Sequence, residues 1–138
     1  MKKLLLAAAA LLAVTAPAYA KSHPELEMMD RSNDQLQVIV TQENIAADNM
    51  GKLIRLSEDK QSRFISEISN AYTVCLESSA VGESYTGTRQ IWDQAFFSND
   101  PSRAIEIGNM RLSRGSAYIE ALRRCIAAEQ AALKAAGE

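Results

Sequence analysis

Apolar positions recur at helical spacing over most of the chain, and no stretch alternates as a strand does. One stripe contains Leu36, Ile39, Val40, Ala46, Ala47, Met50, Leu53 and Ile54, and a second contains Phe64, Ile65, Ile68, Ala71, Tyr72, Cys75 and Leu76. The two stripes predict two amphipathic helices, the first beginning at the capping-box sequence 32–35 or near Pro24. We expect a turn near Ser57, although a single helix over 33–79 is the alternative because the stripes stay nearly in phase.

The second half of the chain predicts a loop, a short helix and a long helix. Residues 80–88 contain two glycines among small polar residues and are expected to form a loop, after which Thr88 caps a short helix. Asp100 and Pro101 then begin the last helix. Its apolar stripe repeats every seven residues, at Ile105, Leu112, Ile119, Ile126 and Leu133. The predicted fold is all-α: a small bundle of three longer helices plus a short crossover helix.

The N-terminus has the pattern of a secretory signal peptide. Lys2 and Lys3 precede an apolar run over 4–14, and Ala18-Tyr19-Ala20 is a small-residue cleavage site. We therefore expect residues 1–20 to be removed and residues 21–138 to form a single helical domain in a Gram-negative periplasm. The apolar run is too short to span a bilayer, and no later segment is apolar enough, so no membrane insertion is expected after cleavage.

Cys75 and Cys125 are the only two cysteines, and behind a signal peptide they predict one intramolecular disulfide. Free core cysteines or a bridge to another chain are the alternatives. Cys125 lies 24 positions after Pro101, about 36 Å along a continuous helix. Cys75 lies near the end of the second predicted helix, so a simple hairpin would place it opposite the start of the last helix, far from Cys125. We therefore expect the segment 80–100 to cross the bundle, so that the last helix runs parallel to the second. A break at Gly115 would allow the same bridge by a different path.

Little in the sequence indicates catalysis. His23 is the only histidine, and no nucleophile, phosphate-binding or zinc motif is present, so we expect a non-enzyme that needs no cofactor. His23 does suggest an alternative function in metal binding. Cleavage after Ala20 would leave Lys21-Ser22-His23 at the N-terminus, where the amine, two amide nitrogens and the imidazole can surround Cu²⁺ or Ni²⁺ in a square plane.

The leading functional prediction is protein–protein binding. Four of the few aromatic residues lie close together in the sequence, and they either complete the core or form a partner-binding edge: Tyr85, Trp92, Phe96 and Phe97. The last helix also carries a basic group that could face an acidic partner: Arg111, Arg114, Arg123 and Arg124. Cleavage would change the net charge from −2 to −4, which disfavours nucleic acid as a partner. We expect another exported or envelope protein, as for a secretion accessory, chaperone, inhibitor or immunity protein, and a homodimer is possible.

Overall fold

Three long helices and one short helix make up nearly all of residues 23–138, the part of the chain that the computed structural model describes. They are α1 (Pro24–Ile54), α2 (Glu58–Arg63), α3 (Ile65–Phe97) and α4 (Pro101–Ala135). No strand occurs among these described residues, and Cys75 and Cys125 are joined. The all-α prediction and the disulfide are thus confirmed. The predicted signal peptide lies outside the described residues.

The helix boundaries follow local capping chemistry. Pro24 begins α1, where its missing N–H costs nothing. Ser57 caps α2, since its hydroxyl accepts from the amide of Lys60, and this confirms the predicted turn between the first two stripes. Asp100 caps α4 by accepting from the amide of Arg103 at 3.1 Å.

The predicted loop at 80–88 is wrong, because α3 runs through it without interruption. Thr88 is therefore not a cap but an interior helical residue, and its hydroxyl donates to the carbonyl of Ser84 at 3.0 Å. A Cβ on Gly82 would lie only 2.7 Å from the ring carbon Cζ of Tyr118, so this glycine permits close helix packing rather than a turn. The short helix is accordingly α2, at the corner between α1 and α3, and not a crossover helix.

The last two long helices form a simple antiparallel hairpin. Cys75 is bonded to Cys125, and Gly82 lies against Tyr118 farther along the pair. The prediction that the second and last helices run parallel is wrong. It assumed that the second helix ends soon after Cys75, whereas α3 continues to Phe97 and brings the two cysteines opposite each other without a crossover.

Helix α4 packs along both α1 and α3. Met28 lies against Gly108, and Gln35 lies against Gly115, so α1 and α4 run parallel in register. Neither glycine breaks α4, which is continuous through both positions. Each glycine instead allows a side chain of α1 to approach the backbone of α4 closely. Every seventh residue along this side of α4, as far as its C-cap Ala136, is buried: Gly108, Gly115, Leu122, Glu129 and Ala136.

Apolar contacts are grouped in three layers. The layer nearest α2 contains Leu53, Leu56, Ile68, Ala71, Ala132, Leu133 and Ala136. The middle layer contains Ile39, Tyr85 and Leu122, and the layer at the far end contains Met28, Trp92, Ala95, Ala104 and Ile107. Within residues 23–138, no helix combines the length and the apolar character needed to cross a membrane.

Candidate functional site

An aromatic stack leads from the core to the surface at the C-terminal end of α3. Trp92 is buried and stacks on Phe96, with ring centroids 5.2 Å apart. Phe96 meets Phe97 edge to face at 5.5 Å. Phe97 is 82% exposed, the largest value among the large apolar residues of 23–138. We call Trp92, Phe96 and Phe97 the aromatic ladder.

Tyr85, the fourth member of the predicted aromatic group, lies elsewhere. It is buried in the middle layer, and its ring centroid is 6.0 Å from that of Tyr118. The structure thus separates the four predicted residues: Tyr85 and Trp92 pack in the core, Phe96 is half-buried, and only Phe97 is largely exposed. The predicted partner-binding surface therefore reduces to Phe96 and Phe97.

A buried arginine supports the inner end of the ladder. Arg111 of α4 is 2% exposed, and its guanidinium carbon lies 4.8 Å from the centroid of the Trp92 ring. A cation facing an aromatic ring in this way is stabilised by the ring quadrupole. The expectation of a basic surface on α4 was therefore wrong for Arg111. Its buried Nε has no hydrogen-bond partner within the described part of the chain.

Polar groups border the exposed end of the ladder. The connection from α3 to α4 spans 98–100, and Asn99 has a positive φ of 59° there, a conformation that asparagine tolerates. A shallow depression beside this connection is lined by Ile91, Gln94, Ala95, Ser98, Asp100 and Arg103. Phe97 thus ends α3 immediately before a connection that lies beside polar and charged side chains.

A second feature lies in the interior, near α2. Glu129 is fully buried, and neither carboxylate oxygen has a hydrogen-bond partner among residues 23–138. Burial raises the pKa of this carboxyl to about 7, while the side-chain amide of Asn49 acts in the opposite direction. A carboxylate oxygen of Glu129 and the Sγ atoms of Cys75 and Cys125 lie within 4.8 Å of one another.

A third feature is an open groove whose lining comes from all three long helices. Its lining is mainly polar: Glu43, Ser79, Gly82, Glu83, Thr86, Gly87, Gln90 and Tyr118. Burial and the nearby Glu43 carboxylate raise the pKa of the Tyr118 phenol to about 12. The phenol therefore stays protonated at neutral pH. It can donate a hydrogen bond to a carboxylate, but it cannot act as a base there.

The predicted N-terminal metal site is described only at its last residue. His23 immediately precedes α1, and its Nδ1 lies 3.4 Å from a carboxylate oxygen of Glu25. Lys21 and Ser22 lie outside the described residues. Binding of Cu²⁺ or Ni²⁺ by these three residues stays a prediction.

Sequence reasoning missed the buried polar residues of the interior. Arg111 and Glu129 were not singled out as core positions, because charged residues in a helix are ordinarily exposed. The available signal was the spacing of Gly108, Gly115 and Glu129, which lie at multiples of seven on one side of α4. No protein-family model, curated protein or solved structure matches this chain.

Proposed function

We propose that this protein functions by binding another protein, and that Phe97 is the anchor of the contact. The observation that carries the proposal is the 82% exposure of Phe97 at the end of the aromatic ladder. A large apolar side chain gains roughly 1.5–3 kcal/mol when it is removed from water, so this ring favours a partner that covers it.

The ladder makes Phe97 a preorganised anchor. Its ring contacts Phe96, which in turn stacks on the buried Trp92. A side chain held by such contacts has less conformational freedom to lose on binding than an isolated surface residue. Aromatic residues with firm support are also those that dominate the energy of protein interfaces.

The polar groups around the connection suit the rim of an interface. Gln94 and Arg103 lie in the neighbouring depression, where they can form hydrogen bonds at the edge of a contact. We propose a partner with an apolar pocket for the phenyl ring, surrounded by polar groups. The signal-peptide pattern favours a partner that is itself exported or part of the envelope.

Photo-crosslinking from position 97 tests this proposal. The matched control is position 76 on the same helix, because Leu76 is also apolar and 70% exposed. The two positions are 21 residues apart, about 31 Å along α3. A photoreactive phenylalanine analogue at 97 should capture one discrete protein in cells, whereas the same analogue at 76 should not.

The identity of the captured product completes the test. A different protein that is exported or part of the envelope supports the proposal, whereas a product of two copies of this chain shows self-association instead and contradicts it. The same product from both positions, or no product from position 97, contradicts the proposal.

A further inference from the structure

The interior near α2 places an unpaired carboxyl group beside a disulfide. Glu129 is fully buried, and one of its carboxylate oxygens lies within 4.8 Å of both sulfur atoms of the Cys75–Cys125 bridge. Neither oxygen has a hydrogen-bond partner in the described chain. The amide of Asn49 favours the charged form of this carboxyl group, but the cost of burying the charge outweighs that effect, so the proton is held more tightly than usual.

Each helix packed around Glu129 presents a different group to it. From α1 it is Asn49, whose amide is neutral, and from α3 it is Cys75. On α4 it is Cys125, one turn earlier. The nearest charged residues of α1 in sequence, Asp48 and Lys52, pair with each other at the exposed surface. Within residues 23–138, the groups shown to face Glu129 are therefore a neutral amide and the two sulfur atoms of the disulfide, which do not titrate while the bridge is intact.

The two sulfur-bearing residues differ in accessibility. Cys125 is 2% exposed, whereas Cys75 on α3 is half-buried and precedes the exposed Leu76. An external thiol therefore reaches Cys75 more easily. Attack on Cys75 would release the sulfur of Cys125 as a thiolate, inside the protein and beside Glu129.

We propose that Cys75, Cys125 and Glu129 form a thiol–disulfide exchange site whose substrate is an external dithiol. A thiolate of the dithiol attacks Sγ of Cys75, and the S–S bond breaks with its electron pair moving to Sγ of Cys125. Protonated Glu129 transfers its proton to that sulfur. The second thiol of the dithiol, as a thiolate, then attacks the dithiol's own sulfur in the mixed disulfide. That S–S bond breaks with its electron pair moving to Sγ of Cys75, which takes up the proton that the second thiol released, and the dithiol leaves as a cyclic disulfide.

The role of Glu129 gives the reaction a characteristic pH dependence. Since burial raises the pKa of its carboxyl to about 7, the proton is present below neutral pH and lost above it. Ionised Glu129 would also repel the departing thiolate. The rate per attacking thiolate should therefore fall as the pH rises. A merely structural role predicts the opposite trend, because ionisation of a buried carboxyl loosens the fold and exposes the disulfide.

The test measures reduction of the intact chain by dithiothreitol from about pH 6 to about pH 8.5, with thiol alkylation and mass spectrometry as the readout. The protonated fraction of a carboxyl with a pKa of about 7 falls about thirtyfold over this range, so the rate constant per dithiothreitol thiolate should fall by up to that factor. In Glu129→Gln and Glu129→Met it should be independent of pH. The exposed Glu120 of α4 provides the control, and Glu120→Gln should retain the wild-type profile.

Three results would overturn the proposal. The first is a wild-type rate per thiolate that is constant or increases with pH. The second is an unchanged slope in both Glu129 variants. The third is a reduction rate independent of the dithiothreitol concentration, because reduction would then be limited by unfolding rather than by exchange at the folded site.

Discussion

Replacing Glu129 with glutamine should remove a large part of the pH dependence of stability. The carboxyl group has a pKa of about 7 in the folded protein, because it is buried, and an ordinary value of 4.5 when the chain unfolds. Between these values the folded state binds more protons than the unfolded state. The free energy of unfolding is therefore highest below about pH 4.5 and decreases as the pH rises through about 7.

The size of the effect follows from the two pKa values. One pKa unit corresponds to about 1.4 kcal/mol, so a difference of 2.5 units amounts to as much as about 3 kcal/mol at pH 8. The glutamine side chain does not titrate. Glu129→Gln should consequently have a higher free energy of unfolding than the wild type at about pH 8, by up to this amount. At about pH 5 the difference should shrink to less than about 1 kcal/mol.

Urea unfolding at several values between about pH 5 and about pH 8 measures the difference. Trp92 is the only tryptophan and is buried, so its fluorescence reports loss of the native packing. The exposed Glu120→Gln serves as the control and should follow the wild-type curve. If the wild type and Glu129→Gln lose stability in parallel over this range, the buried carboxyl is not the titrating group and the reasoning fails.

Two further pairs of substitutions test the packing. Trp92→Ala should lower the free energy of unfolding by about 3 kcal/mol or more, as expected for a buried aromatic residue, whereas Phe97→Ala should change it by less than about 0.5 kcal/mol. Equal losses in urea unfolding would show that the outer ring also belongs to the core. Gly82→Ala should cost about 1 kcal/mol net, since its new Cβ would meet the ring of Tyr118 and the strain exceeds the gain in helix propensity. Gly87→Ala meets nothing within 4 Å and should be neutral or stabilising by up to about 1 kcal/mol, so thermal melts that rank these two variants in the reverse order contradict the described packing of α3.

The sequence predicted the helices where apolar periodicity was strong and misjudged α3 where glycines were the signal. Glycine lowers helix propensity, so two glycines among small polar residues indicated a loop at 80–88. In the structure, α3 packs against α4 in this region. The ring of Tyr118 occupies the space that a Cβ at position 82 would need, so glycine fits there within a continuous helix. The wrong prediction of parallel helices had the same cause. A helix that ended at residue 79 would place Cys75 and Cys125 too far apart in a simple hairpin, so a crossover was expected.

The candidate sites were predictable to different degrees. The cysteine pair could be read from the count of two and the signal-peptide pattern. The placement of Glu129 beside that pair depends on the register between helices, which periodicity in a single helix does not specify. The register between helices also determines which of the four aromatic residues are buried and which are exposed. Phe96 and Phe97 are neighbours in sequence, and helix geometry turns them to different sides, but only the position of α4 determines which ring is covered.

The most direct test of the central claim, that Phe97 anchors a bound partner, is the equilibrium affinity of the crosslinked partner for Phe97→Ala and for Leu76→Ala. Both substitutions shorten an exposed apolar side chain on α3, so neither should disturb the fold. An anchor residue contributes about 2 kcal/mol or more, which corresponds to a loss of at least about thirtyfold in affinity. We expect this loss for Phe97→Ala and an unchanged Kd for Leu76→Ala. Equal Kd values for wild type and Phe97→Ala would contradict the claim.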